Sequence, residues 1–109
     1  MLKSSLFVKI RVSVPVSHAD DVRQALGDAG AGTQGTYTYC SGSYRQIGRF
    51  TPGLGATPAI GEVGIPEEVE EDVIETLCHK DIVCNVIKAI LAVHPYEEPA
   101  IDVIERLDF

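Results

Sequence analysis

Apolar and polar positions alternate near the start of the chain, where Val8, Ile10, Val12 and Val14 are separated by Lys9, Arg11 and Ser13. A period of two with one wet face predicts a half-buried strand, and Pro15 ends its ladder by withdrawing a donor. Ser17, with Asp20 three residues later, is a weaker relative of the capping box. Val22, Ala25, Leu26 and Ala29 then fall at i, i+3, i+4 and i+7, the stripe of a helix packed on a sheet, and Gly30-Ala31-Gly32 stops it.

Between Gly30 and Gly64 the periodicity breaks up, and nine of the ten glycines lie in this stretch. Tyr37, Tyr39, Cys40 and Tyr44 sit in a Thr- and Ser-rich context of strand-like composition. The segment from Phe50 to Pro58 is too broken by Pro and Gly for a long element. The pattern predicts a strand, a turn-rich excursion and a return near Ile60–Ile65. An excursion this long in a small domain is usually functional or at an interface. The acidic run Pro66–Asp72 could open a short helix, whereas Val73–Cys78 reads as a strand. Ile82, Val83, Val86, Ile87, Ile90 and Leu91 restore helical spacing until His94-Pro95 breaks it. Cys78 is placed at the start of this helix, and Ile101–Leu107 is a last strand.

The order is β-α-β, excursion, β-α-β. That is the ferredoxin-like βαββαβ sandwich, an α+β fold in which two helices cover one face of a four-stranded antiparallel sheet. The late strands carry apolar residues of both parities: Val73 and Leu77 against Ile74, and Ile101 and Val103 against Ile104. Something should therefore cover the second face, and further copies of the chain are the economical answer, with Ile74 a candidate contact.

At 109 residues the chain is read as one domain, residues 1–109. Nine Lys and Arg against sixteen Asp and Glu leave a formal charge of −7, a field that repels phosphate backbones and argues against nucleic acid as a partner. No apolar run approaches the ~20 residues of a membrane helix, so a membrane is not an expected partner either. Three cysteines without Cys-x-x-Cys spacing suit a reducing compartment, and the cytoplasm is the expected location.

The densest candidate chemistry is His94-Pro95-Tyr96-Glu97-Glu98-Pro99. An imidazole and two carboxylates at a helix-to-strand junction could hold a divalent cation such as zinc or copper through His94, Glu97 and Glu98, or move a proton. The competing reading is a rigid connection in which two prolines fix the backbone, Tyr96 packs and both Glu stay solvated. Ligand recognition is assigned to Tyr96, Glu97, Glu98 and Cys40, the last if the excursion folds back toward the turn. As a nucleophile Cys40 would need a base beside it, and no sequence neighbour supplies one. Gly53-Leu54-Gly55 lacks the third glycine of a dinucleotide loop, and no Gly-Lys-Ser/Thr occurs.

Several motifs occur together: Gly35-x-Tyr37-x-x-Cys40-Ser41, Gly48-x-Phe50-x-Pro52, Gly55-Ala56-x-Pro58-x-Ile60-Gly61 and His94-Pro95-Tyr96-Glu97-Glu98-Pro99-Ala100-x-Asp102. As a set they resemble the insert domain of the Nif-three-like (YqfO) dinuclear-metal proteins, over roughly residues 6–107. The resemblance implies a free-standing version of that insert, without the flanking domain that carries the metal ligands. The His-Pro-Tyr-Glu motif also resembles CutA, whose relatives, the PII signal proteins among them, are ferredoxin-like trimers with ligand clefts between subunits. Glu98 and Ala100 depart from the CutA pattern, and Thr38-Tyr39 replace a frequent Asp-His pair of the closer family. Together these readings give a non-enzymatic, self-associating module, expected as a trimer, that holds a small molecule or cation at subunit clefts. A metal-binding protein and an acid/base enzyme using His94 are the alternatives.

Overall fold

A computed structural model describes residues 1–109. The elements run β1 (Lys3–Pro15), α1 (Ala19–Asp28), β2 (Gly42–Phe50), β3 (Glu67–His79), α2 (Val83–Val93) and β4 (Ile101–Asp108), with a single 3-10 turn before each helix. The sheet order is β2-β3-β1-β4, every neighbouring pair antiparallel. This is the expected α+β ferredoxin-like architecture.

The alternation in β1 decides where the core sits. Val8, Ile10, Val12 and Val14 are all buried, and they face Cys78, Thr76, Ile74 and Asp72 of β3 across the ladder. Opposed residues share a sheet face, so this face is the one that meets Ala19, Val22 and Leu26 of α1 and Val86 and Ile90 of α2. Ile74 is fully buried in that core. It therefore faces the helices and cannot be a contact to another copy. Its neighbours Val73 and Leu77 share the opposite face with Lys9, Arg11 and Ser13.

Several local expectations are corrected. The acidic run is not helical: Glu67 to Asp72 form the first half of β3. On the helix face of the β2–β3 pair, Arg45 and Arg49 of β2 stand close to Glu70, Asp72 and Glu68, so cross-strand charge pairing supports an extended backbone there. Tyr37, Tyr39 and Cys40 precede β2 rather than belonging to it, and Tyr39 is left-handed with φ 57°. A Cβ at Gly27 would collide with the Tyr39 ring, so glycine admits that ring against α1. The stretch Ile60–Ile65 returns through bends and turns, not a strand. The Ser17 hydroxyl bonds the His18 ring at 2.8 Å, and no side chain caps α1. Cys78 lies in β3, buried, not at a helix start.

Candidate functional site

The helix-free face acquires relief at one end. β1 stops at Pro15 opposite Glu71, so Glu67–Glu70 of β3 pair with β2 alone. Into the space beside this two-stranded extension fold two connections: the turn 94–100 between α2 and β4, and the excursion 51–66 between β2 and β3. Between them lies a cleft of about 580 Å³.

His94 anchors the turn. Its Nε2 donates to the Ser13 carbonyl at 2.7 Å, and its Nδ1 accepts from the Tyr96 N–H at 3.1 Å. These partners fix the neutral tautomer with the proton on Nε2. Burial lowers the imidazole pKa below its ordinary value, an effect opposed by the Ser13 carbonyl and by Glu71. Neither ring nitrogen keeps a free lone pair, so a metal at His94 would have to displace one of these bonds.

Tyr96 then reaches over the sheet, and its hydroxyl donates to Glu71 Oε2 at 2.8 Å. Burial first, and the Glu71 bond second, raise the phenol pKa well above its usual value. The Gln46 amide donates both to Glu71 Oε1 at 3.0 Å and to the Ser13 hydroxyl at 3.2 Å. Gly48 makes room for this arrangement, since a Cβ there would occupy the place of the Glu71 carboxylate. Phe50 packs edge to face on Tyr96, with ring centroids 5.6 Å apart. The excursion is tied down where the Thr57 N–H donates to Glu97 Oε1 at 3.0 Å. Pro52, Pro58 and Ile60 add apolar wall.

Of the residues assigned from sequence, Tyr96, Glu97 and Glu98 border this cleft and His94 holds the turn that carries them. Cys40 is not brought to them. It lies just before β2, with its N–H on the Gly32 carbonyl and its own carbonyl accepting from Thr76, and it lines a separate, smaller cleft with Lys9 and Glu75. No three His, Cys, Asp or Glu side chains converge in a group that could hold a metal ion.

No family model matches the chain. Proteins named GTP cyclohydrolase 1 type 2 homolog do: that of Bacillus subtilis is 47% identical over 95 residues, 87% of this chain and 26% of the relative. That of Mycobacterium tuberculosis is 44% identical over 92 residues, 84% of this chain and 24% of the relative. The crystal structure of a Bacillus cereus protein related to NIF3 superposes with a TM-score of 0.80 at 42% identity, covering 97% of this chain and 26% of that one. Over this stretch the chain is similar to one segment of the NIF3-related proteins. It spans about a quarter of the length of the curated relatives it matches. CutA1 from Pyrococcus horikoshii superposes with a TM-score of 0.67 at 18% identity over 94% of this chain and 85% of that one. GlnK of Bacillus subtilis gives 0.60 at 18%, over 95% and 86%. At such identities the likeness is one of fold.

The cleft has a floor that neither periodicity nor motif spacing points to. Sequence alone assigns none of Glu71, Gln46, Ser13 and Gly48 to a site, and it offers the acidic run only as the possible opening of a helix. One signal was available: Val69, Glu71 and Val73 share a strand parity, which places a carboxylate within an apolar row.

Proposed function

We infer that this NIF3-related segment is a non-enzymatic binding module that holds a small ligand in the cleft between β2, the turn 94–100 and the excursion. The observation that carries this reading is the cleft itself: about 580 Å³, within the range of small-molecule sites, with apolar walls and a few converging polar groups. Its connections are already fastened by His94 and by the Thr57–Glu97 bond, which lowers the ordering cost of binding. No activated nucleophile accompanies it. Cys78 is buried with its thiol pKa raised by burial, and Cys40 lies in another cleft. In this reading the module works in the cytoplasm as a homotrimer through the helix-free face, where Tyr44 and Ile104 are exposed, and its net charge of −7 keeps nucleic acid away.

The test is a neutral fragment screen against the intact chain by amide NMR. Hits should cluster on Gly48, Phe50, Thr57 and Tyr96. Shifts scattered over the helices, or none, would reject the cleft as the binding site. A zinc titration run alongside separates the metal reading: saturable binding abolished by His94→Ala, with the fold retained, would favour the cation over the small molecule.

A further inference from the structure

Two acidic residues are adjacent in β3, both buried, and they are treated differently. Asp72, at 8% exposure, receives the guanidinium groups of Arg23 and Arg45, each at 2.7 Å. Glu71, at 5% exposure, has only neutral donors, the Tyr96 hydroxyl and the Gln46 amide. A carboxylate offers about four lone-pair positions, and here two are filled. A buried anion without a cation is expensive unless something completes it.

The cleft that Glu71 lines has the same lack. Glu97 and Glu98 border it, and the one basic residue on its border, Arg49, has its guanidinium 3.6 Å from Glu68. That pair belongs to the other face of the β2–β3 ladder from Gly48 and Phe50. Ser13, Gln46 and Thr51 add neutral polar groups, and Pro52, Pro58 and Ile60 with the edge-to-face Phe50 and Tyr96 rings supply apolar and aromatic wall. Aromatic faces attract cations most strongly where water is excluded. A hydrated metal ion gains little from such walls, and three ligating side chains do not converge. A planar cation with an apolar body would use everything present: its N–H fork on the free lone pairs of Glu71, its body against Phe50, Pro52 and Ile60.

The geometry points to a small organic cation, an amidinium or guanidinium carried on an apolar group, as the ligand class of this cleft. The inference rests on the reading of the cleft as a binding site and goes beyond it by fixing the sign and shape of the ligand.

The experiment titrates the full chain with benzamidine, benzamide and benzoate, which share a ring and differ in charge, and follows backbone amides by NMR. Benzamidine should move Gly48, Phe50 and Tyr96 in a saturable way, with benzamide at least about tenfold weaker, a factor equal to ~1.4 kcal/mol. Benzoate should leave those amides unmoved. Glu71→Gln keeps the volume and removes the charge, and should weaken benzamidine by about tenfold while leaving benzamide unchanged. Should that variant fail to fold, the exposed pair Glu97→Gln/Glu98→Gln should still lower benzamidine affinity about twofold through the reduced field. Equal binding of benzamide and benzamidine overturns the inference. So does a cleft that benzamidine does not perturb. If neutral fragments still map to the cleft in either case, only the charge assignment has failed; if nothing maps there, the binding-site reading falls with it.

Discussion

The two faces of β3 solve the same problem in opposite ways, and Asp72 and Glu71 mark the contrast. On the helix side, Asp72 joins α1 to β2 through Arg23 and Arg45, and these bonds hold its pKa below the usual carboxylate range. The three carboxylates of β3 on that side, Glu68, Glu70 and Asp72, each have an arginine partner from the chain itself, so that row is structural. On the open side, Glu71 is held by neutral groups on a turn and a strand that also wall a cleft. Burial alone does not separate the two residues. The sign and source of their partners do, and that difference distinguishes a clamp from a receptor.

The sharpest way to break the comparison is to place a charge on each face in turn. Ile74→Asp buries an unpaired carboxylate among Val12, Val86 and Ile90, a cost above about 4 kcal/mol, comparable with the whole stability of a small domain. The variant should be unfolded by circular dichroism. Ile104→Asp, at a position 39% exposed and opposite Lys9 on the other face, should change stability by less than about 1 kcal/mol. It should nonetheless reduce the light-scattering mass toward the monomer if that face joins copies. A folded Ile74→Asp, or an Ile104→Asp with unchanged mass, would show that the faces have been assigned the wrong roles.

How much of this was legible beforehand follows from what periodicity can encode. β1 and both helices are readable because each repeats an apolar position at the period of its own backbone, and β4 as an apolar-rich run of both parities after the His94-Pro95 break. Parity showed that β3 had two apolar faces but could not say which one the helices cover. That depends on the register with β1, a long-range fact that puts Ile74 inside and Leu77 outside. Composition misled at Tyr39, whose ring docks over Gly27 and whose hydroxyl donates to Asp28 at 2.6 Å, so a strand-like residue serves a turn. The turn 94–98 was found because its residue types are chemically dense. Its partner Glu71 was hidden because an acidic run is uniform in sequence, and only pairing to Arg45 and Arg49 on one side and Gln46 and Tyr96 on the other divides it into two kinds of carboxylate.

An acid titration separates the two sides further. The pKa of Asp72 is depressed in the fold, so its contribution is present above the unfolded value of ~3.9 and is lost as pH falls through the folded one. Asp72→Asn should cost about 1–2 kcal/mol at neutral pH, the two charge-assisted bonds being discounted for the exposure of Arg45, and should flatten the acid limb of the stability curve. His94, on the open side, is a base whose pKa is lowered by burial. The unfolded chain then binds the extra proton first, so stability should decline as pH falls from ~6.5 toward the folded value, and no further below it. Denaturation midpoints between neutral and mildly acid pH would show this slope in the parent and not in His94→Gln. A slope that survived His94→Gln would assign the effect to another group.

The smallest effect concerns the tether between the excursion and the turn. Thr57 donates to Glu97 at an exposed position, where one hydrogen bond contributes on the order of 0.5 kcal/mol to the fold. Glu97→Ala should therefore leave the midpoint almost unchanged. Its consequence is local: without the acceptor, the excursion through Gly53 and Gly55 is fastened by fewer bonds, and its opening free energy falls independently of the core. Amide exchange at Thr57 should accelerate about two- to threefold, the Boltzmann factor of that half kilocalorie, and proteolysis near Leu54 should rise with it. Exchange in β1 and α1 should not change, because the Asp72 side shares no bond with the tether. Glu97→Gln retains an acceptor oxygen and should behave as the parent. Unaltered Thr57 exchange in Glu97→Ala would show that the excursion is held by its apolar contacts alone, and the cleft would then be as rigid as the clamped face opposite it.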